Sequence, residues 1–364
     1  MSTDATSLVK HPVIPGHRKN NFDFLRLLFA LSVIVSHSYA LSGHGNVDWL
    51  SRISSKQTLF SYIGVNGFFV ISGYLIFQSL ERSKSLGDYF WKRFLRLYPA
   101  LTVMFILCIL LGWWVYENTT ADYFSSESTL FYLPRGLTIF YGTSGIDGVF
   151  VNNAIPSVMN GSLWTVKYEV TMYLLVAVLF VIKDKKTLLK ALLAIALIIL
   201  FSIRLFFPEA NKISLRFLNT DYFTGLALYF AAGSFLAAVR FEKNNRLGII
   251  AIISGALLVL AIATGTFSWV CYFCIPMLTL SIGLSSWKYL NDVGKIGDLS
   301  YGLYIYSFPV QQALFYFLKP TDMQMMAYTI VITTFIAFAS WHLIEAKALT
   351  FKKWNPFRRL QKNY

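Results

Sequence analysis

Three ionisable residues stand inside the first apolar stretch of the chain, Asn21 to Leu41: Asp23, Arg26 and His37. A histidine takes up and returns a proton near neutral pH and so serves as a general acid or base. An arginine stays charged and binds carboxylate or phosphate through a planar fork of N–H groups. Asp23 and Arg26 are three residues apart and can pair on one helix surface. Arg26 and His37 are eleven apart, about three helical turns, so they share a face and lie roughly 16 Å apart along the axis. One helix face thus offers a fixed cation near its start and an imidazole deeper in. That suits work on a charged molecule from one side of a membrane. The alternative is a neutral, buried His37 bonded to Ser36, Ser38 or another helix, with Asp23 as the only partner of Arg26.

Further along, Arg93 and Arg96 are spaced to share a helix face. They suit either a phosphate-bearing cosubstrate, held in bidentate fashion, or contact with anionic lipid. Glu169 stands near the outer end of another apolar run, beside Lys167, and either pairs with Lys167 or reaches a distant arginine. His342 and Glu345 have the spacing of a ligand pair, but no second pair accompanies them, so no metal is expected. Cys271 and Cys274 form half of a metal motif and read better as apolar packing, as does Cys108. Walker, dinucleotide-fingerprint, HExxH and GxSxG patterns are all absent.

The elements that must position these residues are membrane helices. Of the 364 residues 56% are hydrophobic and only 14% charged, and apolar runs of about 20 residues, enough to cross a bilayer, recur along the chain. The expected fold is all-α, a polytopic transmembrane bundle of about ten spans with N- and C-termini cytoplasmic. Those spans run Asn21 to Leu41, Leu59 to Leu80, Ala100 to Tyr116, Ser162 to Ile182, Leu188 to Phe207, Tyr222 to Val239, Leu247 to Gly265, Phe267 to Ser286, Ser300 to Leu318 and Met325 to Lys347. The net charge of +14 fits basic residues gathered in alternate, cytoplasmic loops better than it fits nucleic acid, which is not expected as a partner. Lys10, Arg18 and Lys19 precede the first span, the stretch from Arg82 to Arg96 reads as an inner loop, and Lys352, Lys353, Arg358, Arg359 and Lys362 close the chain. No cleavable signal peptide is visible. Residues 1–20 are expected as a cytoplasmic tail, 21–350 as one membrane domain and 351–364 as a basic cytoplasmic tail. Gly64, Gly67, Ser72 and Gly73 should let the second span approach its neighbours closely. A long polar segment, Glu117 to Gly161, is expected outside, with LPRGLTIFYG as a short interfacial helix.

Taken together, these pieces resemble the acyltransferase-3 family of membrane proteins. Asp23-x-x-Arg26 with His37 is similar to that family's first-helix arginine–histidine motif. Gly64 to Ile76 resembles its FF-x-SG-[FY]-L block, with Asn66 where aspartate is common. Arg93-x-x-Arg96 ending at Pro99, Leu163-Trp164 with Glu169 and Tyr173, Ser300-Tyr301 with Tyr304, and Leu343 with Glu345 match later blocks in the same order. The likeness spans nearly the whole chain. One departure is Ser307-Phe308-Pro309, where many members carry histidine before the aromatic–proline pair.

The resemblance implies a ten-helix core in the bacterial inner membrane and O-acetylation of a carbohydrate. The donor it implies is cytoplasmic acetyl-CoA, and the acceptor a cell-surface or exported glycan such as an O-antigen, an exopolysaccharide or a lipid-linked saccharide. It marks His37 as the catalytic residue and Arg26, Arg93 and Arg96 as functional arginines holding CoA. Glu169 is a further catalytic candidate on this reading, orienting His37 or the acceptor, or else simply holds helices together. Glycan contacts are expected from Tyr123, Phe124, Tyr132 and Tyr141. The rival is a polytopic transporter or exporter of a glycan or small anion, although no internal repeat supports one.

Overall fold

The computed structural model describes residues 20–45, 47–142, 145–207, 209, 213–214, 217–287 and 290–354. Most of the two expected tails, with Lys10, Arg18, Lys19, Arg358, Arg359 and Lys362, lies outside the described residues. The regular structure of the described residues is all helical, apart from one isolated bridge between Ser214 and Asn219. Ten long helices build it: α1 (Phe22–Tyr39), α2 (Phe60–Arg82), α3 (Leu86–Val115), α4 (Val166–Val178), α5 (Lys186–Phe206), α6 (Thr220–Ala238), α7 (Leu247–Thr264), α8 (Phe267–Leu284), α9 (Ser300–Leu318) and α10 (Asp322–Ser340).

Eight helical segments among the described residues are long and apolar enough to cross a membrane, α4 being counted with its flanking 3-10 turns. This is a multi-pass membrane protein. The two long helices outside that set are α6 and α9, and burial explains why. Twelve of the nineteen residues in each are buried, so they face protein rather than lipid and tolerate tyrosine, serine and glutamine. The most apolar helices, α5 and α7, are the least buried, because in a bilayer the apolar face turns outward.

Backbone proximity sets the centre of the bundle. Gly73 on α2 and Gly233 on α6 lie so close that a Cβ on either would drive into the other helix's backbone, at Phe230 and Val70 respectively. Without a side chain at these points the helices approach to backbone contact. The other face of α2 packs on α1. The start of α1 is tied to the end of α8 by Asn21, whose backbone N–H and side-chain amide donate to Gly283 O (2.8 Å) and Ile282 O (2.9 Å).

The basic stretch before Pro99 is not a loop. Residues 86–99 form the first half of the 30-residue α3, capped by the Ser85 hydroxyl accepting from the Asp88 N–H at 3.1 Å. Asp88 and Lys92, one turn apart, pair at 2.7 Å. Local charge suggested an exposed linker, but a good N-cap and an i,i+4 pair carry the helix through it.

The segment from Glu117 to Gly161, expected outside, is short helices and turns over α3 among its described residues, including Tyr132–Leu137 within the expected interfacial run. Tyr123 and Tyr132 are fully buried there, the first donating to Ile109 O at 2.7 Å and the second packed edge-on against Phe105. They seat the segment on α3 and cannot meet a glycan, as expected of them from sequence. Phe124 and Tyr141 remain exposed.

Candidate functional site

Asp298 is the hub of a cluster of arginines. Its Oδ2 accepts from Arg26 Nη1 at 2.8 Å and from Arg96 Nη2 at 2.6 Å. Its Oδ1 accepts from the Ser300 hydroxyl at 2.5 Å. Burial opposes ionisation of this carboxyl, but the guanidinium groups of Arg96 and Arg26 outweigh it and hold it well below the usual carboxylate range. The turn that presents it depends on Gly297, at φ 111°, where a Cβ would strike the Trp341 indole. Only glycine adopts that backbone readily.

Around this hub the arginines predicted from sequence converge. Arg26 also pairs with Asp23 at 3.1 Å, as their spacing suggested. Arg96 lies 3.9 Å from the buried Glu345. Glu345 is turned inward by a π-helical turn, Trp341–Glu345, and held by the Ser340 hydroxyl at 3.0 Å. His342, three residues earlier, points elsewhere, toward Ile296 O at 3.2 Å, so that pair does not converge. Among the described residues no group of three His, Cys, Asp or Glu side chains stands together as a metal site.

These groups border a cavity of about 210 Å³ lined by Arg26, Lys92, Arg93, Arg96, Lys352 and Glu169, with Phe68, Thr165, Val166, Tyr173, Tyr301 and Tyr304 among its walls. The charges are unevenly satisfied. Arg26 and Arg96 share Asp298, and Lys92 has Asp88. Among the described residues no carboxylate lies within ion-pair distance of Arg93 or Lys352. Arg93 touches only the Ser79 hydroxyl, at 3.4 Å, and the faces of Tyr89 and Tyr173. Each guanidinium has five N–H donors, so even the paired arginines keep some free. The site can take a compact polyanion.

Glu169 faces the same cavity. It accepts from the Tyr173 hydroxyl, one turn on, and from Ser72 at 3.2 Å. It is bonded neither to Lys167, which lies over the Tyr168 ring, nor to His37. Ser72, expected as a packing residue, is thus a polar partner.

His37 stands apart from this cavity. Its ring meets Phe308 of α9 edge-on, at 5.2 Å between centroids, so it faces protein. Its Nδ1 is buried without a hydrogen-bond partner. The neighbouring serines are engaged elsewhere: Ser36 donates to Asp48 at 2.5 Å, and Ser38 donates to Ile34 O and receives Gln311. The imidazole is therefore not a hydrogen-bonded structural post. From Arg26 it is eleven residues along α1, and Val65, Phe68 and Tyr304 are among the cavity's walls. His37 is not among the residues that line the arginine cavity.

The 3-10 turn Gly161–Thr165, which carries the Leu163-Trp164 pair, is fixed by a proline. Pro309 has no N–H to give to Ile305 O, and Asn160 Nδ2 donates to that carbonyl instead, at 2.8 Å. The Tyr304 hydroxyl then bonds Ser162 O at 3.0 Å and Thr165 Oγ1 at 2.7 Å. Asp298 and Lys352 were not singled out from sequence. Asp298 lies 272 residues from Arg26, and its only local signal is a glycine before it and the Ser300-Tyr301 block after.

Comparison with known proteins places the chain in a family. A family described as Acyltransferase domain matches residues 19–344. An O-acetyl transferase of Shigella phage Sf6 is 30% identical over 347 residues, covering 92% of this chain and 97% of its own. Nodulation protein 10 of Rhizobium leguminosarum bv. viciae is 36% identical over 176 residues, 44% of this chain and 43% of its own. The peptidoglycan O-acetyltransferase OatA of Listeria monocytogenes is 30% identical over 193 residues, 49% of this chain and 27% of its own. No solved structure matches.

Proposed function

Because the chain belongs to the acyltransferase-domain family and is an acyltransferase, we propose that it moves an acetyl group from cytoplasmic acetyl-CoA to a hydroxyl of a cell-surface or exported glycan. In this reading it sits in a bacterial inner membrane with ten spans, α6 and α9 included, and both termini on the cytoplasmic side. The observation that carries the reading is the cation-lined cavity at the inner half of the bundle. Arg93 and Lys352, the cations there without a carboxylate partner, take the CoA phosphates, and the remaining N–H groups of Arg26 and Arg96 add donors. Asp298 and Glu345 hold those two guanidinium groups in place.

The thioester carbon is then attacked by a sugar hydroxyl. The C–O bond forms, the C–S bond breaks, and CoA leaves as thiolate. His37, with an unpartnered ring nitrogen, receives the hydroxyl proton as general base. In the covalent alternative the imidazole attacks the thioester first and expels CoA thiolate; the sugar hydroxyl then attacks the acetyl-imidazole, the C–N bond breaks, and the released imidazole takes the hydroxyl proton. Either route requires the thioester to pass beyond the residues that line this cavity, which do not include His37. Glu169 keeps the Tyr173 and Ser72 side of the donor channel polar and orients the donor rather than the imidazole.

The deciding experiment is NMR of surface and secreted polysaccharides from cells with and without the chain, beside binding of acetyl-CoA to the purified protein. Loss of one O-acetyl signal on deletion, with saturable donor binding, is expected. Glycan uptake into vesicles without acetyl-CoA, and no modified sugar, would favour the transporter instead.

A further inference from the structure

A second cavity, of about 250 Å³, lies next to the first. Val166 lines both, so one residue's thickness separates them. The second is walled by Asn160, Gly161, Trp164, Lys167 and Phe105, and edged by Gly142 of the outer segment. Three features suit it to a sugar. The Trp164 indole packs against Tyr222 (4.7 Å) and Tyr168 (5.8 Å), which fixes it as a flat, partly exposed platform. Lys167 is the only ionisable side chain in the lining. It is half-buried, and no carboxylate among the described residues pairs with it. Gly161 is backed by the Phe308 ring, which a Cβ at Gly161 would strike, and the same ring abuts His37. A hydroxyl held in this cavity is therefore one aromatic ring away from the imidazole.

A half-buried cation with no counter-charge is unfavourable until a ligand supplies one. We propose that this outer cavity is the acceptor subsite, and that Lys167 makes it selective for a saccharide bearing a carboxylate or phosphate. The assignment rests on the acetyltransferase reading above. Trp164 supports the apolar face of the sugar ring, Lys167 binds its anionic group, and the hydroxyl to be acetylated points past Gly161. Val166 stands between this cavity and the donor cavity, and Phe308 between Gly161 and His37, so donor and acceptor meet when these side chains swing aside.

The test uses the full chain in a neutral detergent, which leaves anionic lipid headgroups out of the comparison. Binding of trigalacturonic acid, glucose 1-phosphate and neutral maltotriose is measured by titration, with acetyl-CoA binding followed in the same preparation. Wild type is expected to bind at least one acidic probe about tenfold more tightly than maltotriose, a preference worth about 1.4 kcal/mol. Preference for trigalacturonic acid assigns a carboxylate and preference for glucose 1-phosphate assigns a phosphate. Lys167→Gln should abolish that preference, Lys167→Arg should retain it, and both should bind acetyl-CoA as wild type does. Equal binding of acidic and neutral probes by wild type with normal donor binding overturns the subsite alone, leaving Lys167 as a side chain that reaches for the interface. Absence of acetyl-CoA binding to wild type overturns the acetyl-CoA reading on which it rests.

Discussion

Asp298→Asn removes one negative charge while keeping the side-chain shape, and it separates arginines that hold the structure from those that hold a ligand. In the wild type this carboxylate receives two charge-assisted hydrogen bonds, from Arg26 at 2.8 Å and Arg96 at 2.6 Å. Bonds of that kind contribute about 1.5–3 kcal/mol each. Stripping the counter-charge from a fully buried pair costs about 3–5 kcal/mol. Here Arg26 keeps Asp23 at 3.1 Å and Arg96 keeps Glu345 at 3.9 Å, so a loss of about 2–4 kcal/mol is expected. At about 2–4 °C per kcal/mol for a chain somewhat smaller than this one, the melting midpoint at pH 7 should fall by several degrees. The pH dependence gives a second reading. An unfolded aspartate titrates near about 3.9, whereas folded Asp298 stays ionised below the usual carboxylate range, burial being outweighed by Arg96 and Arg26. Its stabilisation is complete above the unfolded value and is lost as pH falls toward the folded one. The variant should therefore lose less stability than wild type on acidification below about pH 4. Melting of the detergent-purified proteins, followed by tryptophan fluorescence at pH 7 and below pH 4, measures both. An unchanged midpoint at pH 7, or parallel acid curves, would refute the role of Asp298 as the common anchor.

The other variants divide along the same line. Arg93→Gln should raise the dissociation constant for acetyl-CoA about tenfold or more, from loss of a charge-assisted phosphate contact, while the melting midpoint stays within a degree or two; equal donor affinity would leave Arg93 a topology signal. His37→Ala should abolish the O-acetyl product seen by NMR while the protein still inserts and melts near the wild-type temperature, because its Nδ1 makes no hydrogen bond whose loss would be felt; normal product would remove the catalytic assignment. Gly73→Leu should prevent assembly, visible as aggregation on size exclusion, since the new side chain meets the Phe230 backbone rather than a movable group; a monodisperse variant would show that α2 and α6 need not touch.

Much of the site was legible because its parts lie in short blocks whose local spacing carries meaning. Arg26 and Asp23 pair as a three-residue offset predicts, and Arg93 and Arg96 share the face that borders the cavity. What could not be read was pairing across long sequence separations. Nothing near Asp298 announces two arginines from distant helices, and nothing near Lys352 places the end of the last helix beside Arg93. The helices were legible by hydropathy where they face lipid; α6 and α9, expected as spans, are helices, but neither is among the eight segments of the described residues apolar enough to cross a membrane. The stretch from Arg82 to Arg96 reads as a loop from its five basic residues, three of which, Lys92, Arg93 and Arg96, lie in the first half of α3 behind the Ser85 cap. Tyr123 and Tyr132 were given to a glycan on composition alone, whereas the packing of the outer segment claims them.

The distribution of polarity among the helices bears on how the chain is made. α6 and α9 supply the centre of the bundle yet carry tyrosines, serines and glutamines where α5 and α7 carry leucine and isoleucine. A segment of that composition gains little by entering lipid alone, since each polar side chain left there without a protein neighbour is costly. The Gly233 face of α6 has its surroundings only once α2 is beside it, and Gln311 of α9 only once α1 offers Ile34 O, 3.1 Å away. During synthesis the greasy outer helices can settle independently, while the two core helices must wait for companions already in place.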